Sequence, residues 1–234
     1  MTNKYIEQLK EIRFKRGLSQ EQVAQAIGVS RPTYTAIESG KKQELDLGEA
    51  QKLANFFGIS LGELVSGTVE NIEKYKQMIL QYLRMNISST RGGKVTKTKL
   101  AKLLYLADFA WFYNNLESMS GMQYKRFPYG PVPDTFFRVF DELVSDGKIN
   151  VEPVTEGEKN ILLISESESN KNEKITTISA EEKILMEQIA EKWKDKNTQD
   201  IVNFTHNQLP YTICRDNEVI PYELITQEDA DKVY

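Results

Sequence analysis

Apolar residues recur at helical spacing through most of the chain, and the polar residues between them mark helix starts and stops. Ser19 and Gln22 form an S-x-x-Q capping box, and Val23, Ala24 and Ile27 follow on one face. Gly28 supplies the permissive backbone of a sharp turn. Ser30 is a second N-cap candidate, with Pro32 in the next helix's first turn, where a missing N–H does little harm. Tyr34 and Ile37 then face inward, and Gly40 ends the helix. Small Ala24 lets the two helices approach closely. Two short helices around a tight turn make a helix-turn-helix, whose second helix fits the major groove of DNA.

Gly67 to Glu70 read as a joint, following Gly58, Gly62 and Ser66. Beyond it, Ile72 to Ile87 are helical, with Ile72, Tyr75, Ile79, Tyr82 and Leu83 on one face. Ser88 to Lys97 form a basic loop whose Gly92-Gly93-Lys94 lacks the spacing of a phosphate-binding loop. Lys99 to Asn114 are apolar nearly all round, the signature of a buried helix. Asp108 is its odd residue; a buried carboxylate must find partners or its pKa rises, and a polar network staple is the favoured reading.

Tyr124 to Pro133 hold three prolines and a glycine, which predicts an ordered, aromatic-rich loop rather than a helix or central strand. Pro133 and Asp134 lead into a helix carrying Phe136, Phe137, Val139, Phe140 and Leu143, stopped by Asp146-Gly147. Lys148 to Val154 and Asn160 to Ile164 alternate as two strands around Glu156-Gly157. Ser165 to Glu173 is a polar loop. Ser179 caps a helix with Ile184, Leu185, Ile189 and Trp193, and another, about Thr198 to Asn207, carries His206 and ends at Pro210-Tyr211. The expected fold is mainly α: a helix-turn-helix domain over 1–66, a linker over 67–70, an α+β, mostly helical domain with a small β-hairpin over 71–225, and a C-terminal tail over 226–234.

Composition sharpens this. At 40% hydrophobic residues, 234 residues suffice for real cores in one large or two modest domains. Residues 1–66 hold nine Lys or Arg against eight Asp or Glu, a net of +1, so the chain's −4 leaves −5 for the remainder. The acidity lies outside the DNA-binding head, which favours site-directed binding over general coating of nucleic acid. One cysteine, Cys214, excludes an internal disulfide and a thiolate zinc cluster, and one histidine, His206, leaves few nitrogen ligands. No metal and no cofactor are expected. No apolar run approaches the ~20 residues that span a bilayer, and no signal-peptide pattern opens the chain, so a cytoplasmic protein without membrane contact is expected. His206 and Cys214 suggest no third orienting group, and Glu181-Glu182 open a helix where negative charge suits the dipole, so no enzyme is expected.

Gln20, Ala24, Gly28, Ser30, Ile37, Glu38 and Gly40 in one register resemble the Cro/CI-type repressor family, xenobiotic-response-element-like domains, over about Lys4 to Val65. That resemblance implies five helices. Ile6, Leu9 and Ile12 mark the first; Leu53 and Phe56 mark the fourth, beginning near Gly48; Leu61, Leu64 and Val65 mark a short fifth. It also implies roles. Gln20 would touch a phosphate, Arg31, Pro32 and Ala36 fall where the family reads base edges, and Arg13 and Glu38 match an ion pair tying the first helix to the third. Pro32 and Ala36 carry no side-chain donors, which leaves Arg31 for a bidentate guanine contact worth ~1–3 kcal/mol of discrimination. Thr33 and Thr35 offer a hydroxyl or methyl contact, and Ser39, Lys41 and Lys42 would position on phosphate. One such head binds weakly, so a homodimer on a palindromic double-stranded operator is expected.

The ordered set LxKLLYxAD, then YxxxPYGPVP, then Thr205-His206 and Pro210-Tyr211, resembles the Panacea, or SocA-like, antitoxin domain over about Asn71 to Tyr222. Such domains neutralise varied protein toxins by direct binding, so the resemblance implies an antitoxin that also regulates its own operon. The signature positions Asp108, Tyr124, Tyr129, Gly130 and His206 are core or contact surface, most of them structural. The alternative is a phage or bacterial transcription regulator, or a proteolytic adaptor, whose second domain binds another partner or a ligand.

Overall fold

The reciprocal bonds of a capping box start the second helix: Ser19 N–H donates to Gln22 Oε1 at 2.8 Å, and Gln22 N–H donates to Ser19 Oγ at 3.2 Å. The structure is a computed structural model and describes residues 4–42, 45–59, 64, 70–85, 87–88, 91–157 and 159–234. The chain divides into two units, Met1–Glu70 and Asn71–Tyr234.

The first unit contains α1 (Lys4–Lys15), α2 (Gln20–Ile27), α3 (Arg31–Glu38) and α4 (Leu47–Phe56) among the described residues. Ser30 Oγ accepts Thr33 N–H at 3.2 Å and starts α3. A further capping box, Asp46 with Glu49, starts α4 at Leu47, one residue before the expected Gly48. Leu9, Val23, Ala24, Ile27, Tyr34, Ile37, Leu53 and Phe57 form the core. The pattern points to Phe56 as a landmark of α4; the structure buries Phe57 completely and sets Phe56 edge-on against it at 5.3 Å. Of the expected fifth helix, Leu61 and Val65 lie outside the described residues, and Leu64 is buried in the same core. The joint expected at 67–70 also lies outside them, except Glu70.

The second unit runs α5 (Ile72–Arg84), β1 (Val95–Thr96), α6 (Lys97–Asn115), β2 (Tyr124–Phe127), β3 (Gly130–Pro133), α7 (Thr135–Ser145), β4 (Ile149–Glu156), β5 (Lys159–Glu166), α8 (Ala180–Trp193), α9 (Thr198–Asn207) and α10 (Leu209–Ile213), with a 3-10 turn over Tyr222–Gln227. Helix α6 is the core: Leu100, Leu103, Leu104, Leu106 and Phe109 are fully buried. The expected strand pair exists as β4 and β5, and β1 adds a third strand, giving an antiparallel sheet of order β1-β5-β4. Two residues of strand are too short to leave a period in the sequence.

Tyr124 to Pro133, expected as a loop, is instead a β-hairpin: Tyr124 pairs with Pro133 and Phe127 with Gly130. The prolines are admitted because of where the backbone of β2 points. Arg126 donates its N–H to Glu218 O at 2.9 Å and accepts Asn217 N–H at 2.8 Å, while Tyr124 O accepts Ile220 N–H at 2.8 Å. These groups face away from β3, so Pro131 and Pro133, opposite Arg126 and Tyr124, are asked for no N–H. Pro210-Tyr211 do not end α9; Pro210 occupies the first turn of α10, where its missing N–H is harmless. Residues 226–234, expected as a tail, pack within the unit: Val233 is buried, and Gln208 Nε2 donates to Lys232 O at 2.8 Å and Val233 O at 2.9 Å.

Candidate nucleic-acid interface

Helix α3 turns one face inward and one outward. Tyr34, Ile37 and Glu38 are buried, while Arg31, Pro32 and Thr35 are exposed, and Thr33 and Ala36 are half-buried. Ser39 and Lys41 are exposed just beyond the helix. Arg31 makes no ion pair among the described residues, so its guanidinium is free for an outside partner.

The inward face carries a buried polar clamp. Arg13 donates to Glu38 from Nε at 2.6 Å and Nη2 at 3.0 Å, and from Nη1 to Leu18 O, in the loop before α2, at 2.9 Å. Gln20 Nε2 donates to Glu38 Oε2 at 2.6 Å, and Tyr34 OH to Oε1 at 3.1 Å. Burial alone would raise the Glu38 carboxyl; the Arg13, Gln20 and Tyr34 donors outweigh it and hold the group below its ordinary value. This clamp fixes α3 against α1 and α2.

Two expected contacts are already engaged within the unit. Gln20 Oε1 accepts Thr35 OH at 3.1 Å, so Gln20 bridges α2 to the outward side of α3 and keeps a single amide hydrogen for a phosphate. Lys42 Nζ lies 2.5 Å from both carboxylate oxygens of Glu49, so a phosphate contact there must replace that pair. Ser39 Oγ donates to Ala36 O at 3.3 Å, and the Thr33 hydroxyl lies 2.8 Å from that of Ser30.

In the second unit the signature positions gather on the β2–β3 hairpin. Asp108 is fully buried and accepts Ser120 N–H at 2.7 Å, Ser120 OH at 2.5 Å and Tyr124 OH at 2.8 Å. Burial lifts its carboxyl to about 6 against these donors. Lys102, which sequence reasoning did not single out, is 2% exposed and donates from Nζ to Pro131 O at 2.9 Å. Burial lowers its ammonium to about 7. Its only sequence signal was a charge inside an otherwise apolar helix.

Gly130 has φ +95°, and a Cβ there would stand 2.6 Å from Lys102 Cε and 3.0 Å from His206 Nε2. His206 stacks on Tyr211 at 4.4 Å and 8°, and its pKa is lowered by burial and then by Lys102 and Arg126. Tyr211 OH donates to Phe127 O at 2.8 Å, and Arg126 Nε donates to Tyr211 O at 3.1 Å. Tyr129, at the hairpin tip, is 82% exposed.

The remaining chemical candidates are occupied structurally. Burial, then Glu218, push the Cys214 thiol up, which disfavours the nucleophilic thiolate. Glu182 caps α8 with Ser179 and pairs with Lys74 at 2.5 Å. Lys94 of the glycine loop pairs with Glu152. Among the described residues no three His, Cys, Asp or Glu side chains group to hold a metal, and no helix is long and apolar enough to cross a membrane.

Comparison with known proteins agrees with this division. Residues 9–64 match the helix-turn-helix family model. An uncharacterized HTH-type transcriptional regulator of Methanocaldococcus jannaschii is 43% identical over 56 residues, covering 24% of this chain and 83% of that protein. The chain belongs to the helix-turn-helix transcriptional regulators. Its second unit carries an antitoxin SocA-like, Panacea domain, matched over residues 100–210. The cryptic phage CTXphi transcriptional repressor RstR of Vibrio cholerae is 44% identical over 72 residues, 30% of this chain and 64% of RstR. The SPbeta prophage-derived uncharacterized HTH-type transcriptional regulator YonR of Bacillus subtilis is 40% identical over 62 residues, 26% of this chain and 56% of YonR. The chain thus spans less than two thirds of these last two relatives. No solved structure matches it. Neither matching family is an enzyme family.

Proposed function

We propose that this regulator is the antitoxin of a toxin–antitoxin pair: it neutralises a partner toxin by direct binding and represses its own operon through the helix-turn-helix. The observation that carries the reading is the union, in one chain, of a helix-turn-helix head with a SocA-like antitoxin domain. The similarity of the head to a phage repressor supports repression as its mode of action. The protein acts as a homodimer that presents two α3 helices about one DNA turn apart, ~34–36 Å, on a palindrome. Arg31 reads guanine, Lys41 and Ser39 hold phosphate, and Gln20 positions the helix while lending its remaining amide hydrogen to the backbone.

Co-expression tests the reading. The neighbouring gene, toxic when expressed alone, is rescued by the full chain, and an Arg31→Ala chain loses operator discrimination while still rescuing growth. If the full chain never rescues growth, the antitoxin reading fails.

A further inference from the structure

We propose that the tip of the β2–β3 hairpin is the anchor of the toxin interface, with Tyr129 as its central contact and a basic protein surface as its occupant. This rests on the antitoxin reading above. The hairpin is held from every side. Helix α6 grips it through Asp108 to the Tyr124 hydroxyl and Lys102 to the Pro131 carbonyl. Helix α10 grips it through the Tyr211 hydroxyl to the Phe127 carbonyl, and residues 217–220 line its outer edge. Gly130 lets the strand close onto Lys102 and His206.

All this anchoring presents one side chain to solvent. Tyr129 is the most exposed large hydrophobic residue of the described chain, at 82%. A rigid mount removes the ordering entropy that a partner would otherwise have to overcome, and tyrosine adds a large contact area with only two side-chain torsions. Two further exposed apolar residues sit on the segments that hold the hairpin. Ile213 is 57% exposed on α10, and Val219, 41% exposed, bridges Lys125.

The segment that lines the hairpin's outer edge runs on into an acidic stretch: Glu218, Glu223, Glu228 and Asp231 stand beside Asp216, paired with Arg126, and Asp229, paired with Lys232. The nearby cations Lys125 and Arg126 are already paired with Asp134 and Asp216. An apolar contact beside an acidic segment complements a basic protein surface with a pocket for an aromatic ring.

The test uses the full chain and the protein encoded by the adjoining gene, with affinity, rescue, operator binding and melting temperature measured for each variant. Wild type binds and rescues. Tyr129→Arg and Tyr129→Ala weaken binding by roughly 30-fold or more, as expected of an interface centre. Tyr129→Phe stays near wild type, and all three keep operator binding and melting temperature. Binding weakens with added salt. Phe137→Ala, at an exposed position on α7, leaves affinity unchanged. If wild type binds while the Tyr129 variants bind equally well, or Phe137→Ala weakens binding as much as they do, this interface is wrong and the antitoxin reading stands. If wild type neither binds nor rescues, the antitoxin reading falls and the interface with it.

Discussion

Gly130→Ala is the substitution whose magnitude the structure fixes best. At φ +95° the backbone lies where L side chains are strained, which costs about 1–2 kcal/mol. The new Cβ would also stand 2.6 Å from Lys102 Cε and 2.8 Å from Nζ. Lys102 has no route to water at 2% exposure, so it must leave the Pro131 carbonyl. Losing a buried, charge-assisted bond adds about 1–3 kcal/mol, for a total of about 2–5 kcal/mol. Urea unfolding followed by tryptophan fluorescence measures this in the intact chain, because both tryptophans, Trp111 and Trp193, belong to the second unit. In a Lys102→Ala background the Lys102 contact vanishes and the same change should cost the backbone strain and the 3.0 Å approach to His206 Nε2 alone, a coupling of about 1–3 kcal/mol. Gly157→Ala is the control: its φ is +61° and nothing lies within 4 Å of the new Cβ, so it should show strain alone. A cost for Gly130→Ala that is negligible, or equal in the two backgrounds, would refute the argument.

Arg13→Ala and Glu38→Ala should each cost about 3–5 kcal/mol, because each strands a buried charge, and the double variant should cost far less than their sum, read by circular dichroism. Lys102 is lowered from 10.5 to about 7, so the unfolded chain holds the extra proton between those values. Stability therefore rises with pH across that window, by at most roughly 1.4 kcal/mol per unit, and Lys102→Met should flatten the rise in the urea midpoint. Asp108 is raised from 3.8 to about 6, so its native form holds the extra proton there; stability falls as pH rises across that window, and the slope should vanish in Asp108→Asn. On DNA, Arg31→Ala should lose about 1–3 kcal/mol of discrimination at one base pair, whereas Lys41→Ala should weaken all sequences alike and lower the salt slope by ~1 in anisotropy titrations.

What the sequence made legible was local. Capping residues act on N–H groups two or three positions away, so Ser19, Ser30 and Ser179 mark α2, α3 and α8 where the structure starts them. The uniform apolarity of α6 marks a buried helix for the same reason: burial all round needs no knowledge of the neighbours. The failures were non-local. Whether Pro131 and Pro133 break a strand depends on which edge of β2 faces them, and that is decided by residues 217–220, nearly ninety positions away. Lys102 needs the Pro131 carbonyl, and Gln20 needs Glu38 and Thr35; no spacing rule announces such partners. The outward face of α3 was legible as a list of residues, but the division between side chains left outward and those already engaged was not.

That division bears on how the proposed activities can be coupled. Each unit encloses its own apolar core among the described residues. If operator and toxin both bind as proposed and influence each other, linkage requires the influence to be reciprocal: a toxin that loosens the operator by some factor is itself loosened by the operator to the same degree. A coupling factor that changes with protein concentration would locate the coupling in assembly. On the proposed reading an Arg31→Ala chain should stay folded and keep toxin affinity while losing operator discrimination, so that added operator no longer shifts toxin affinity at concentrations that suffice for the wild type.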